Sequence, residues 1–135
     1  MGNKHFFLTL AHQETLGQVK LMIKSLRTFG GELKDTPVWA FSTAPQNLLE
    51  LEDDQTRIVP LPFRDPNNVY LFERKVTACA RGEALAPPGT SSLTWVDPGV
   101  LFTAPPLEFI LDGKHDAAFR PVHIRNVGLP SGEPL

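Results

Sequence analysis

The sequence has one cysteine, Cys79, among 135 residues. A lone thiol excludes an intrachain disulfide and a cysteine-rich zinc site, and a reducing cytoplasm is its simplest home. Long apolar runs are missing too. None approaches the roughly 20 residues that a bilayer-spanning helix needs, so no membrane span is expected. Met1-Gly2-Asn3-Lys4-His5 leads into a short apolar run without a cleavage-site pattern, so no signal peptide is expected. Nor is there a surplus of positive charge: 13 basic and 15 acidic side chains give a formal net charge of −2. A generic nucleic-acid binder carries a basic stripe, and this balance argues against one. Several site motifs are absent as well. Without Gly-x-Gly-x-x-Gly after the first strand, a dehydrogenase-type dinucleotide fold is disfavoured. Without Gly-x-x-x-x-Gly-Lys or Gly-x-Ser-x-Gly, so are a P-loop nucleotidase and an α/β-hydrolase. His12-Gln13-Glu14 stands where a phosphoacceptor receiver would place an acidic pair.

What is present suits one globular domain over residues 1–135, with 41% hydrophobic and 21% charged residues. Thirteen prolines fall between periodic segments and punctuate them. Phe6 to Ala11 is a continuous apolar run, the pattern of a strand buried on both faces. Leu16, Val19, Met22, Ile23, Leu26 and Phe29 then recur at helical spacing, with Lys20, Lys24 and Arg27 on the outer face. Thr15 and Gln18 have capping-box spacing, and Gly30-Gly31 is expected to end the helix through positive φ. Val38 to Thr43 reads as a second strand. Pro45 opens a short helical turn through Leu48, Leu49 and Leu51, whose Glu50, Glu52, Asp53 and Asp54 read as a solvated face. Arg57 to Leu61 reads as a third strand, and its Pro60 places it at a sheet edge.

A loop from Pro62 to Asn68 leads to a second long helix capped by Asn67 or Asn68. Its expected inward stripe is Val69, Phe72, Val76, Cys79 and Ala80, with Gly82 weakening its end. Ser92 to Asp97 reads as the central strand, followed by a short run at Val100 to Phe102. A short helix at Leu107 to Leu111 and a strand at Asp116 to Arg120 complete the pattern, with Pro121 to Asn126 as an extension. Val127 to Leu135 reads as loop. Alternating strands and helices predict a three-layer α/β/α fold with a mostly parallel, Rossmann-like sheet. Right-handed crossovers leave few topologies, and the order 3-2-1-4 is the natural one.

In such a sheet, side chains at the carboxyl ends of the strands meet ligands. Leu93-Thr94-Trp95-Val96-Asp97-Pro98-Gly99-Val100-Leu101-Phe102 is the most telling stretch, an apolar run that stops at an acid and a tight turn. Asp97 has two open readings, a ligand group or a cap on the Pro98-Gly99 turn. At those strand ends stand His12, Ser42 and Asp97. Trp39 and Trp95 read as core aromatics, and Cys79 as a small buried hydrophobe.

Four features in order give a family resemblance. They are an opening strand ending Thr9-Leu10-Ala11 before a helix with Ser25-Leu26 near its end; the strand Val38 to Thr43; a helix carrying Lys75; and Trp95 to Phe102. The last is similar to the pattern Trp-Leu-Asp-Ala-Asp-hydrophobic-Leu-Phe. Over Phe6 to Arg125 the chain resembles the N-terminal, nucleotide-binding half of a GT-A glycosyltransferase, the nucleotide-diphospho-sugar transferase fold. The resemblance implies a nucleotide-sugar donor lying across the strand ends. Thr9 and Ala11 would neighbour the base, Lys75 would face the diphosphate, and Asp97 would be the first acid of an Asp-x-Asp motif. That motif implies Mg2+ or Mn2+ bridging the diphosphate, since hard oxygen ligands suit those ions.

The sequence departs from the family at two points. Gly99 occupies the second acidic position, leaving His115, Asp116 and His123 as the candidates for further metal ligands. The family also needs a C-terminal half for the acceptor, so a partial or truncated domain is expected. Self-association as a homodimer is one way to cover the sheet edge and apolar face that this leaves. Two functions are therefore in view: a sugar-transferring donor domain, and a non-catalytic relative or fragment kept for binding or assembly.

Overall fold

A computed structural model of the chain describes residues 5–62, 71–111 and 113–119. Four strands, β1 (His5–Leu10), β2 (Val38–Ser42), β3 (Thr56–Pro60) and β4 (Ser92–Trp95), form one sheet. All pairings are parallel and the order is β3-β2-β1-β4, as the sequence predicts. Two long helices, α1 (Leu16–Phe29) and α2 (Leu71–Leu85), make the crossovers. Among the described residues, no helix is long and apolar enough to cross a membrane.

Strand side chains alternate between the two faces, and the core divides accordingly. Phe7, Val38, Ala40 and Ile58 pack with Val19, Met22, Ile23 and Leu26 of α1. Phe6, Leu8, Trp39, Phe41 and Val59 form the opposite cluster, with Ala78 of α2. The helices therefore cover opposite faces. β1–α1–β2 and β3–α2–β4 step in opposite directions along the sheet, and right-handed crossovers in opposite directions require that placement. β3 lies at the sheet edge, and Pro60 stands at its last position.

Several local expectations change. Thr15 does not cap α1 with its side chain. A 3-10 turn over Gln13–Thr15 comes first. In it the Thr15 hydroxyl turns back, accepting from the His12 N–H (3.1 Å) and donating to the His12 carbonyl (3.3 Å). At the far end of α1 only Gly31 has positive φ, at 56°. Gly30 is right-handed helical at φ −69°, so it is required by close packing on Leu26 rather than by handedness. Leu48 and Leu51 are buried within two 3-10 turns, and the neighbouring acids serve local structure. Glu50 pairs with Lys20, while Glu52 and Asp53 accept from the Ile58 and Gln55 N–H groups.

The inward face of α2 also differs from the predicted stripe. Phe72 and Val76 are 62% and 68% exposed, and Ala80 is exposed as well. Buried instead are Ala78 and Gly82, about a third of a helical turn away. A Cβ on Gly82 would stand 2.6 Å from Leu8 Cδ1, so this helix approaches the sheet through its smallest side chains. Val69 and the proposed Asn67 or Asn68 cap lie outside the described residues.

β4 stops at Trp95, two residues short of Asp97, although the Val96 N–H still bonds the Leu8 carbonyl at 2.8 Å. Val100 to Phe102 is not a strand. Phe102 anchors it by packing on Phe7 and donating its N–H to the buried Ser25 hydroxyl (3.0 Å). The expected helix at Leu107 to Leu111 is a single 3-10 turn, Leu107–Phe109. The expected strand at Asp116 to Arg120 is not formed over 116–119, and Phe119 is 88% exposed. Asp and Ala have low strand preference, and two alanines bring little apolar area to bury. Arg120 and the Pro121 to Leu135 readings lie outside the described residues.

Candidate functional site

The chain leaves β1 for β2 on one side and arrives at β4 from β3 on the other. β1 and β4 are neighbours whose connections diverge, which opens a crevice at their carboxyl ends. This is the topological switch point where open α/β sheets bind ligands. A cleft of about 250 Å³ lies there. Leu10 and His12 line it from the end of β1, Trp95, Asp97 and Pro98 from the end of β4, and Phe72 and Lys75 from α2.

The polar groups of the cleft are linked. The Trp95 indole N–H donates to Asp97 Oδ1 at 2.7 Å. Lys75 Nζ lies 3.5 Å from the same oxygen and 5.1 Å from the Trp95 ring centroid, a cation–π contact. The Asp97 carbonyl closes the following turn by accepting from the Val100 N–H at 3.0 Å. The turn is therefore closed by the backbone, and the carboxylate is left to face the cleft.

His12 is held by the 3-10 turn that Thr15 fastens. Its pKa is lowered, first by burial and then by the Arg74 charge, with Glu14 opposing. The folded protein therefore binds this proton less readily than the unfolded chain, so below the ordinary histidine value of 6.5 stability falls as pH falls. We expect the urea midpoint to drop between pH 7.5 and 5.5, and to drop less in His12→Gln. Equal drops in the two proteins would remove His12 from this role. The Cys79 thiol is raised, mainly by burial, against the opposing pull of Lys75. It is only half-buried, not the fully buried hydrophobe the sequence suggests, and its raised pKa keeps the thiol protonated rather than nucleophilic.

Of the sequence-predicted site residues, His12, Lys75 and Asp97 come together in the cleft. Thr9, Ala11 and Ser42 do not line it. They are fully or almost fully buried, and the Ser42 hydroxyl accepts from the Ala44 N–H at 3.1 Å. Trp95 and Phe72, read from the sequence as core residues, are walls of the cleft. A signal for Trp95 was available, since residues i and i+2 share a strand face and Trp95 precedes Asp97 by two.

The resemblance implies a divalent ion at Asp97, but the donor set does not fit one. Among the described residues no three His, Cys, Asp or Glu side chains converge, so His115 and Asp116 form no such group with Asp97. His123 lies outside those residues. The second acidic position is Gly99, and Oδ1 of Asp97 already faces an ammonium and an indole N–H. Comparison with protein-family models, with curated proteins and with solved structures finds no match to the chain.

Proposed function

We propose that the chain is a glycosyltransferase-like domain that binds a nucleotide-diphosphate sugar donor in the cleft between the ends of β1 and β4. One observation carries this reading: His12, Lys75 and Asp97, far apart in sequence, converge at the switch point of a 3-2-1-4 parallel sheet. An ammonium beside apolar walls suits a ligand that joins a charged diphosphate to a planar base. Lys75 takes the phosphate charge. Trp95 and Phe72 offer flat apolar surface for a ring.

Calorimetric titration with a panel of nucleotide-diphosphate sugars, with and without Mn2+, tests the proposal. Saturable binding of at least one member is expected, weakened several-fold by Phe72→Ala. Phe72 is more than half exposed, so its removal leaves folding intact. No binding across the panel by folded protein sinks the donor reading.

A second reading, a non-catalytic relative that binds without transferring sugar, also has an observation in its favour. The Asp97 carboxylate accepts from the Trp95 indole and lies beside Lys75, and Gly99 supplies no second acid. Donor binding without sugar release in the presence of Mn2+ and simple acceptors would select it.

A further inference from the structure

We infer that the cleft takes a phosphate-bearing anion directly on the Lys75 ammonium, without a divalent ion, and that Asp97 is an internal anion which the ligand displaces from Lys75. The inference rests on the donor-binding reading for the place of the ligand. It departs from the family resemblance in how the phosphate charge is neutralised.

An ammonium has three N–H donors. The 3.5 Å separation of Lys75 from Asp97 is longer than the about 2.7–2.9 Å of a charge-assisted hydrogen bond. Among the described residues, the other Lys75 contact is the Trp95 ring face, which accepts no conventional hydrogen bond. The lysine is therefore held near the cleft by a loose pair and a ring, with donors to spare. Asp97 is anchored independently by the indole N–H at 2.7 Å, so its position does not depend on the ammonium. The lysine and aspartate side chains are 37% and 65% exposed, so water screens the pair and exchanging one carboxylate for a phosphate is cheap.

A divalent ion is worse placed. Bound to Oδ1 of Asp97, it would stand within a few ångströms of the ammonium, a like charge already placed on that oxygen. With Gly99 in place of an acid, no second carboxylate among the described lining residues offsets that repulsion. A phosphate avoids the conflict because it replaces the carboxylate as the partner of Lys75.

Titration with inorganic pyrophosphate in EDTA tests this. Saturable binding is expected, weakening with added NaCl. Lys75→Gln should weaken it at least tenfold, and Lys75→Arg should retain most of it. Asp97→Asn removes the competing charge and should tighten binding about two- to fivefold, the scale of an exposed ion pair. Mn2+ alone should give no saturable heat. The inference is overturned if folded protein fails to bind pyrophosphate in EDTA, if Asp97→Asn binds more weakly, if Lys75→Gln is without effect, or if Mn2+ alone binds and Asp97→Asn abolishes it. A nucleotide-diphosphate sugar titrated beside pyrophosphate separates the two proposals. A sugar nucleotide that binds no tighter than pyrophosphate removes the donor reading and leaves the anion site standing. A sugar nucleotide that binds only with Mn2+, where pyrophosphate fails in EDTA, does the reverse.

Discussion

Phe41→Ala is expected to lower the stability of the domain by about 3–5 kcal/mol, the range for removing a buried phenylalanine. Phe41 has no exposed surface and is among the largest fully buried side chains. It sits on β2, between β1 and β3, in register with Leu10 and Val59. On its face it packs in the cluster of Phe6, Leu8, Trp39 and Ala78, under α2. Its neighbours are fixed in strands by backbone hydrogen bonds, so they cannot collapse into the space the ring leaves. A loss of this size is a large share of the roughly 5–15 kcal/mol that holds a domain of this kind together. Urea unfolding should show a lower midpoint with an unchanged slope, and Phe41→Leu should lose much less. A loss below about 1 kcal/mol for the alanine variant would mean that the core here repacks freely.

That strand was readable from sequence because of where it lies. β1 and β2 are covered on both faces, so every side chain seeks burial and the chain reads as an unbroken apolar run. β3 and its edge position were readable from Pro60. The sheet order followed from alternation and handedness, which act before any side-chain detail. α1 was clear because its buried positions are large: Val19, Met22, Ile23 and Leu26 mark the face directly. α2 was misread because periodicity weighs size. Its exposed Phe72 and Val76 outweigh Ala78 and Gly82, which are the residues that touch the sheet.

The same distinction divides the candidate site. His12 and Asp97 were recognisable as polar residues at strand ends, where the fold gathers ligand groups, whereas Lys75, inside a helix, was singled out through the family resemblance. Thr9 and Ser42 share that position in sequence, but alternation and the depth of the central strands take their side chains into the core. Phe72 joined the cleft only because α2 is rotated relative to the predicted stripe. The link from Lys75 through Asp97 to Trp95 depends on distances of 3.5 and 2.7 Å that no spacing in the sequence encodes.

The orientation of α2 depends on small side chains against the sheet, and Gly82→Val should expose that dependence. A Cβ at this position would already be 2.6 Å from Leu8 Cδ1, the tip of a side chain only 2% exposed. Valine adds two further methyl carbons against the same side chain. Overpacking of this kind destabilises by about 1–3 kcal/mol, and the contact here lies at its upper end, so a loss of about 2–3 kcal/mol is expected. Gly82→Ala is the informative control, because alanine gains up to about 1 kcal/mol in helix preference over glycine and needs less room. Its net effect should be far smaller. The consequence reaches the cleft because Lys75 and Gly82 are on the same rigid helix, seven residues apart. If valine lifts α2 from β1, the 3.5 Å approach of Lys75 to Asp97 opens and pyrophosphate binding weakens together with stability. If stability falls while binding is unchanged under conditions where the variant remains folded, the helix is not what sets the lysine's position. Lys75 would then reach the ligand through the length of its own side chain.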